Sequence, residues 1–349
     1  MPKNLLDLSR LELEAFLVED VKEPRFRAAQ LWQWLWQKGA ADFAAMTNVS
    51  KALREKLARV CEIRWPEIER EQTSRDGTVK LLLGLADGAF IETVLIPAAG
   101  RFTQCLSTQV GCAMACTFCN TGRMGFERNL SQAEILGQIL VGRRHLAERG
   151  LAPLKNLVFM GMGEPLLNLD NLLKSLATLN SAEGLGFSSR KTTVSTVGIP
   201  AGLMRLAQSG LALPAISLHA PTQELREKLM PKAAAVAPLP ELMACLDALP
   251  LKHRERITYE YLLIKGVNDS KKEAQGLVKL MGGRRSKVNL IAYNPSPGIP
   301  YEAPDPEAVL AFEQHLRDKH ITTTLRRSMG QDIAAACGQL RAERTASNG

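Results

Sequence analysis

The hydrophobic positions of this chain change period twice. From residue 3 to about residue 62 they recur near the helical repeat, Leu5, Leu11, Leu13 and Phe16 among them. A second segment, Ala28-Ala-Gln-Leu-Trp-Gln-Trp-Leu-Trp-Gln-Lys-Gly, closes at Gly39 as a helix C-cap does. Leu31, Trp32, Leu35 and Trp36 share a face there, which predicts a small-bundle core and leaves Trp34 toward the surface. A third helix near residues 50–60 carries Lys51, Arg54, Lys56 and Arg59, which read as a solvated face ahead of an RNA contact. From Ile68 to Pro97 the period falls to two. Asp76-Gly77 and Asp87-Gly88 signal hairpins, so antiparallel strands are expected at about 68–74, 78–84 and 89–96. Beyond residue 101 strands alternate with helices. Strands are expected at 102–107, 156–160, 191–196, 213–218, 256–264 and 287–292, with a further extended run at 321–327. The clearest helix starts at Ser131, with Glu134 completing a capping box, and ends before Gly150. Repeated βα units predict an α/β fold with a partial (β/α)6 barrel whose site lies at the C-terminal strand ends. The expected division is a helical accessory unit at 1–65, an antiparallel extension at 66–100, and the barrel with a C-terminal segment at 101–349.

Composition narrows the class. At 349 residues and 46% hydrophobic content the chain can bury one large core and a smaller module. No run of about 18 apolar residues is present to span a membrane as a helix. Asp7, Arg10 and Glu12 stand where a signal peptide needs an apolar segment. A cytoplasmic protein is therefore expected. The seven cysteines then point to a metal or to catalysis, because a reducing compartment does not keep structural disulfides. A net charge of +8 suits an anionic partner such as RNA.

The chemistry concentrates between Cys105 and Gly122. Cys112, Cys116 and Cys119 follow a C-x3-C-x2-C spacing that can wrap one inorganic core. A zinc site closes its shell with four ligands, but no fourth Cys or His lies close by, and the next histidine is His145. A structural metal loop or a cluster of buried thiols is the alternative. Three thiolates with an open corner instead suit an iron–sulfur cluster, and the spacing resembles that of radical S-adenosylmethionine (SAM) enzymes. That resemblance implies one [4Fe–4S] cluster whose free iron holds the amino and carboxylate groups of SAM. Polar residues at strand ends fit such a cofactor: Gly161-Met-Gly-Glu-Pro, Ser195-Thr196 and Ser217-Leu218-His219. Gly161 and Gly163 would admit a methionine-like amino group, Glu164 would accept from it, and Asn294 offers a donor and an acceptor to an adenine edge. Two further residues remain ambiguous. Strand alternation sets Glu92 on a face with Phe90, Val94 and Ile96, which reads as an edge-strand gatekeeper charge before it reads as a general base. Cys337, among Ala335, Ala336 and Gly338, reads by itself as a small buried hydrophobe, as do Cys61 and Cys245.

Taken together, the residues closely resemble the RlmN/Cfr family of bacterial RNA methyltransferases, its RlmN branch more than its Cfr branch. The match runs through Asn4-Leu-Leu-Asp, Phe26-Arg-Ala-Ala-Gln, Met46-Thr-Asn-Val-Ser-Lys, Gly125-Phe-Glu-Arg-Asn-Leu, Gly161-Met-Gly-Glu-Pro-Leu-Leu-Asn and Ala335-Ala-Cys-Gly-Gln-Leu. It departs at Pro231-Lys-Ala-Ala-Ala-Val-Ala, where relatives carry an Asn and basic residues, so an RNA contact from that loop is not expected. The resemblance implies methylation of adenine C2 in 23S rRNA and in tRNA beside the anticodon, with two SAM per turnover. It assigns Cys337 as the methyl-carrying cysteine, Glu92 as the acceptor of the C2 proton, and Cys105 as the thiol that resolves the RNA adduct through a transient disulfide with Cys337. Gly163, Glu164, Ser195, Ser217, Leu218, His219 and Asn294 become SAM contacts. An electron donor such as flavodoxin and a monomeric state are implied. Rival readings are Cfr-like methylation at C8 and an iron–sulfur RNA-binding sensor without turnover. The cysteine spacing itself sets a test. Replacing Cys116 with Ala should abolish reductive SAM cleavage and lower the iron content of anaerobically purified protein; full iron and undiminished cleavage would overturn the ligand assignment.

Overall fold

The computed structural model describes residues 2–251 and 255–342; the end of the expected C-terminal segment, 343–349, lies outside them. The N-terminal region is helical for the reason its period suggests, with one addition. Short strands β1 (Lys3–Asn4) and β2 (Cys61–Glu62) pair in parallel and tie its two ends together. Cys61, expected within the helix, opens β2. Between them run α1 (Arg10–Glu19), capped by the Ser9/Glu12 box, α2 (Arg27–Trp32) and α3 (Lys51–Val60). Helix α2 continues into a π-helical turn, Gln33–Gln37, which rotates Leu35 and Trp36 into the core. Trp32 and Trp36 meet edge to face at 5.7 Å. Trp34 stays half-exposed as expected, with its indole N–H donating to Asn48.

The period-two stretch becomes β3 (Glu67–Thr73), β4 (Val79–Gly84) and β5 (Phe90–Ala98). Next comes β6 (Arg101–Cys105). Short strands β7 (Gln109–Gly111) and β8 (Phe126–Asn129) pair across the cysteine loop, with α4 (Asn120–Met124) between them. Helix α5 (Gln132–Glu148) then starts at the Ser131/Glu134 box and stops ahead of Gly150. The remaining strands are β9 (Leu154–Phe159), β10 (Thr192–Thr196), β11 (Leu213–Ser217), β12 (Ile257–Leu263), β13 (Ser286–Ala292) and β14 (Thr322–Arg326). One sheet of ten strands runs β14-β13-β12-β11-β10-β9-β6-β5-β4-β3. Its strands from β6 through β14 are parallel, and the final extended run supplies a seventh parallel strand. The antiparallel meander is hydrogen-bonded into that sheet through β5 and β6. Strands β14 and β3 are its two free edges, so the barrel is partial. Strand β5 is therefore interior, paired with β4 on one side and β6 on the other. That corrects the edge-strand reading of Glu92. The Pro231 segment is also no loop: Pro231–Val236 is a short helix that buries Ala233 and Ala234. No helix among the described residues is long and apolar enough to cross a membrane.

A buried polar knot fixes the sheet to α5 where the barrel begins. The Gln138 amide accepts from Ser107 N at 2.9 Å and donates to Ser107 O at 2.9 Å. Gln104 donates to Thr93 and to the Gln138 carbonyl. The Ser107 hydroxyl donates to Glu92 O and accepts from Met162 N. Strands β5 and β6 and the loop after β9 are thus set by one network. A Gln138→Leu substitution would strand both backbone groups of Ser107, at about 1–3 kcal/mol for each. The denaturation midpoint should fall accordingly; a midpoint equal to that of the unaltered protein would contradict the assignment.

Candidate active site

The cysteine loop closes over the C-terminal ends of the parallel strands. It leaves β7 at Gly111, whose φ is +71° and where a Cβ would lie 1.9 Å from Gly125 O, so only glycine fits. Cys112 N donates to Gly125 O and Cys119 N to Cys116 O. Thr117 anchors the loop to the barrel through Leu229 O and the Tyr301 hydroxyl. All three thiols line one cavity of ≈ 870 Å³, together with Gly163, Glu164, Ser195, Ser217 and His219. Burial pushes the Cys112 thiol up to about 12 and raises that of Cys119, while Cys116 is pushed well above its ordinary value, first by burial and then by repulsion from Cys119 and Cys112. Three crowded, buried thiols become thiolates together only when a cationic centre takes their charge. Among the described residues no three His, Cys, Asp or Glu side chains are grouped to hold a single ion. Thiols spread around one cavity wall fit the corners of a polynuclear iron–sulfur centre.

The strand-end residues divide into those that face the cavity and those that shape it. Glu164 is 3% exposed; its carboxylate accepts from Thr196 Oγ1 at 2.6 Å, Val197 N at 2.9 Å and Leu166 N at 3.0 Å. Burial raises its pKa against those donors. Gly161 and Gly163 make room for the chain itself: a Cβ at Gly161 would meet Leu106 O at 2.7 Å, and one at Gly163 would meet Gln109 Cβ at 2.5 Å. The hydroxyls of Ser195 and Ser217 are 3.2 Å apart. His219 sits at φ +54° with Nδ1 accepting from Leu262 N at 3.0 Å, which leaves its proton on Nε2. Burial holds its pKa down to about 3, and the Arg226 charge adds to the effect. Leu218 is wholly buried, and its carbonyl accepts from Arg226. Asn294 is not brought to the cavity wall: its amide donates to Ser328 Oγ and accepts from Gln331.

The C-terminal segment brings in the remaining groups. Asn120 N donates to Gly338 O and Thr121 Oγ1 to Leu340 O, pinning the segment to α4. On the other side Gly330 N donates to Asp76, and Ser74 Oγ donates to Asp332. Held this way, Cys337 borders the cysteine-loop cavity and also a second cavity lined by Cys105, Met160 and Arg326. Both Cys105 and Cys337 are free thiols. Burial pushes Cys105 up to about 12. Glu92 is 1% exposed, lies 3.1 Å from Lys80 Nζ, and accepts from Arg341 N at 2.8 Å. Sequence reasoning missed Lys80, Arg226, Arg326 and Glu260, the last of which also lines the cavity. Lys80 and Glu260 left a trace, each as a charge amid the apolar run of its strand.

A partial parallel barrel with a three-cysteine loop over its strand ends defines a radical SAM enzyme. The Radical SAM superfamily model matches residues 106–277, and that for the ribosomal RNA large subunit methyltransferase N-terminal domain matches 3–63. A radical SAM methyltransferase from Sphaerobacter thermophilus, known from its crystal structure, superposes with a TM-score of 0.93 at 42% identity, covering 98% of this chain and 100% of that one. Dual-specificity RNA methyltransferases RlmN are similar along their length. That of Nitratidesulfovibrio vulgaris (strain DSM 19637 / Miyazaki F) is 59% identical over 98% of this chain and 95% of its own. That of Syntrophus aciditrophicus is 46% identical over 97% and 96%. The chain belongs to the RlmN family of radical SAM RNA methyltransferases.

The depressed pKa of His219 has a measurable sign. Its neutral form favours folding fully above the unfolded value of 6.5, and that contribution is lost as pH falls from 6.5 toward 3, at about 1.4 kcal/mol per pH unit. Asn tolerates the positive φ and keeps an acceptor for Leu262 N. Between pH 7 and pH 5, His219→Asn should therefore lose less stability to denaturant than the unaltered chain. Parallel curves would show that His219 titrates normally.

Proposed function

We propose that the chain methylates adenine C2 in 23S rRNA and in tRNA through a methyl group carried on Cys337, with a [4Fe–4S] cluster on Cys112, Cys116 and Cys119. The observation that carries this reading is the place of Cys337, at the boundary between the cysteine-loop cavity and the cavity of Cys105. Adenine C2 is an electron-poor sp2 carbon that does not attack a methyl sulfonium, so the methyl group must first be taken up by a better nucleophile. A Cys337 thiolate is one. When bound, the cluster and SAM supply, with one electron from a donor such as flavodoxin, a radical that activates this methyl group toward C2.

The chain's own residues do the rest. Gly163, Glu164, Ser195, Ser217 and His219 face the cavity and hold the cofactor, with Glu164 receiving its ammonium. Leu218 and Asn294 act from behind, through the Arg226 contact and the C-terminal segment. Glu92 accepts the C2 proton. Its Oε2 is taken by Arg341 N, so the tail shifts before that step, while Lys80 keeps the carboxylate oriented. Cys105 then attacks the Cys337 sulfur. The Cys105–Cys337 disulfide forms as the carbon–sulfur bond breaks; its electron pair stays on the carbon, which takes up a proton to become the methyl group on adenine, and the single electron left by radical addition passes to a one-electron carrier of the flavodoxin class. The adenine leaves any stack to reach this site. Likeness to the RlmN branch favours C2 over C8.

Reconstituted protein given SAM and dithionite should release 5′-deoxyadenosine and methionine, which a sensor without turnover would not. Cys105→Ala should still cleave SAM yet stop with RNA attached through Cys337, seen on denaturing gels as a ribonuclease-sensitive shift. Cys337→Ala should form no adduct. Free turnover by Cys105→Ala would assign resolution to another thiol or an external reductant.

A further inference from the structure

The parallel strands begin at the barrel end opposite this site. There the starts of β6, β9 and β10 surround a cleft of ≈ 710 Å³ lined by Arg101, Arg143, Lys155, Lys191, Phe187 and Ser188. Arg101 opens β6, Lys155 is the second residue of β9, and Lys191 directly precedes β10. Arg190 stands beside Lys191. Neighbouring arginines have carboxylate partners, as in Arg144–Glu148 and Arg205–Asp170. Among the described residues, none of Arg101, Arg143, Lys155, Arg190 or Lys191 enters an ion pair. Four cations thus line one cleft, with Arg190 next to them in the chain, and among the described residues no carboxylate neutralises them.

Arg143 is the most telling of them. Burial lowers its pKa, and its guanidinium meets the Leu185 carbonyl at 2.9 Å and the Phe187 ring at 4.6 Å. Among the described residues no carboxylate offsets its desolvation. The cleft also adjoins the N-terminal helical region. Gln37 donates to Ala182 O, a few residues before Gly186 at the cleft, and Gly39 faces Leu140, one turn of α5 ahead of Arg143. On that side Lys38 lies 3.7 Å above the Trp34 ring. Cations interleaved with aromatic faces, Lys38 on Trp34 and Arg143 on Phe187, match a nucleic-acid backbone.

We propose that this cleft, with the Trp34–Lys38 face beside it, binds the phosphate backbone of the RNA substrate away from the target base. The proposal rests on the reading of RNA as substrate. A strand of about six residues rises about 20 Å, so a folded RNA can reach both barrel ends while a short single strand cannot. Guanidinium forks and ammonium groups pair with phosphate without reading sequence. The cleft therefore positions RNA, and the choice of base stays with the other end.

The test is binding of full-length protein to a tRNA transcript over a range of salt concentrations. The variant Arg101→Gln/Lys155→Gln/Lys191→Gln changes only exposed side chains. Its slope of log affinity against log salt should be shallower by about 2–3, and its affinity at low salt about ten-fold weaker or more. A control, Lys271→Gln/Lys272→Gln/Lys279→Gln, removes the same charge from the helix Lys271–Met281, which does not line the cleft, and should change little. SAM cleavage without RNA should be unaltered in both. If the two variants bind alike, net charge alone is at work and the proposal is overturned. If the unaltered protein binds no RNA, the substrate reading falls and takes the proposal with it.

Discussion

The top of the barrel is built around a buried guanidinium. Arg226 is 0% exposed; its Nη2 donates to Val197 O at 2.7 Å, and its Nη1 donates to Ser217 O and Leu218 O, each at 3.1 Å. Those carbonyls belong to the ends of β10 and β11, so one side chain gathers two strand ends. Burial lowers its pKa to about 10, against the pull of Cys116 and Glu164, which leaves it cationic at neutral pH. Its charge in turn draws the Glu164 carboxyl toward the ionised form and disfavours a proton on His219. Burial is the larger influence on both groups: it favours the neutral imidazole and raises the Glu164 pKa, while Arg226, which does not line the cavity, adds to the first effect and opposes the second. Removing a buried charge's compensation typically costs about 3–5 kcal/mol, so site and fold here rest on the same contacts.

A second dependence runs through the C-terminal segment. Its backbone satisfies groups on β4 and β5: Lys80 Nζ donates to Ala334 O at 3.3 Å, and Glu92 accepts from Arg341 N. The segment thereby covers the Lys80–Glu92 pair, keeps it dry, and sets Cys337 beside Arg326. Electrostatics at this spot are reciprocal. The Cys337 thiol is the largest influence holding the Arg326 pKa up, and Arg326 opposes the upward push of burial on Cys105. A tail held by several individually modest hydrogen bonds can be released in part without unfolding the barrel.

Several features were legible because they depend on neighbours along the chain. The change from helical to two-residue period marked the helices and the meander. The Ser131/Glu134 box gave the start of α5, and strand spacing gave the parallel run through β14. The C-x3-C-x2-C spacing placed three thiols on one cavity because residues of one short loop need no tertiary partner to be near one another. The π-helical turn after α2 and the pairing of β1 with β2 were not legible. Each follows from packing between segments that local propensity does not see.

The amino-acid sequence alone determined which three thiols share one short loop, the order of elements and the end of the barrel over which that loop closes, because those follow from covalent spacing and from the direction of repeated βα units. Tertiary structure decided the environment of each side chain. Glu92 looked like an edge charge because alternation reports a face and says nothing of which strand pairs beyond it; its donor lies 249 residues away at Arg341. Asn294 looked free to meet an adenine, yet its amide is engaged by Ser328 and Gln331. Gly161 and Gly163 looked like room for a ligand; both line the cavity, and a Cβ at either would strike Leu106 O or Gln109. Arg226, buried among carbonyls from two strands, left no mark in its own helix. Burial and partnership are properties of distant segments meeting, and only the folded chain brings those segments together.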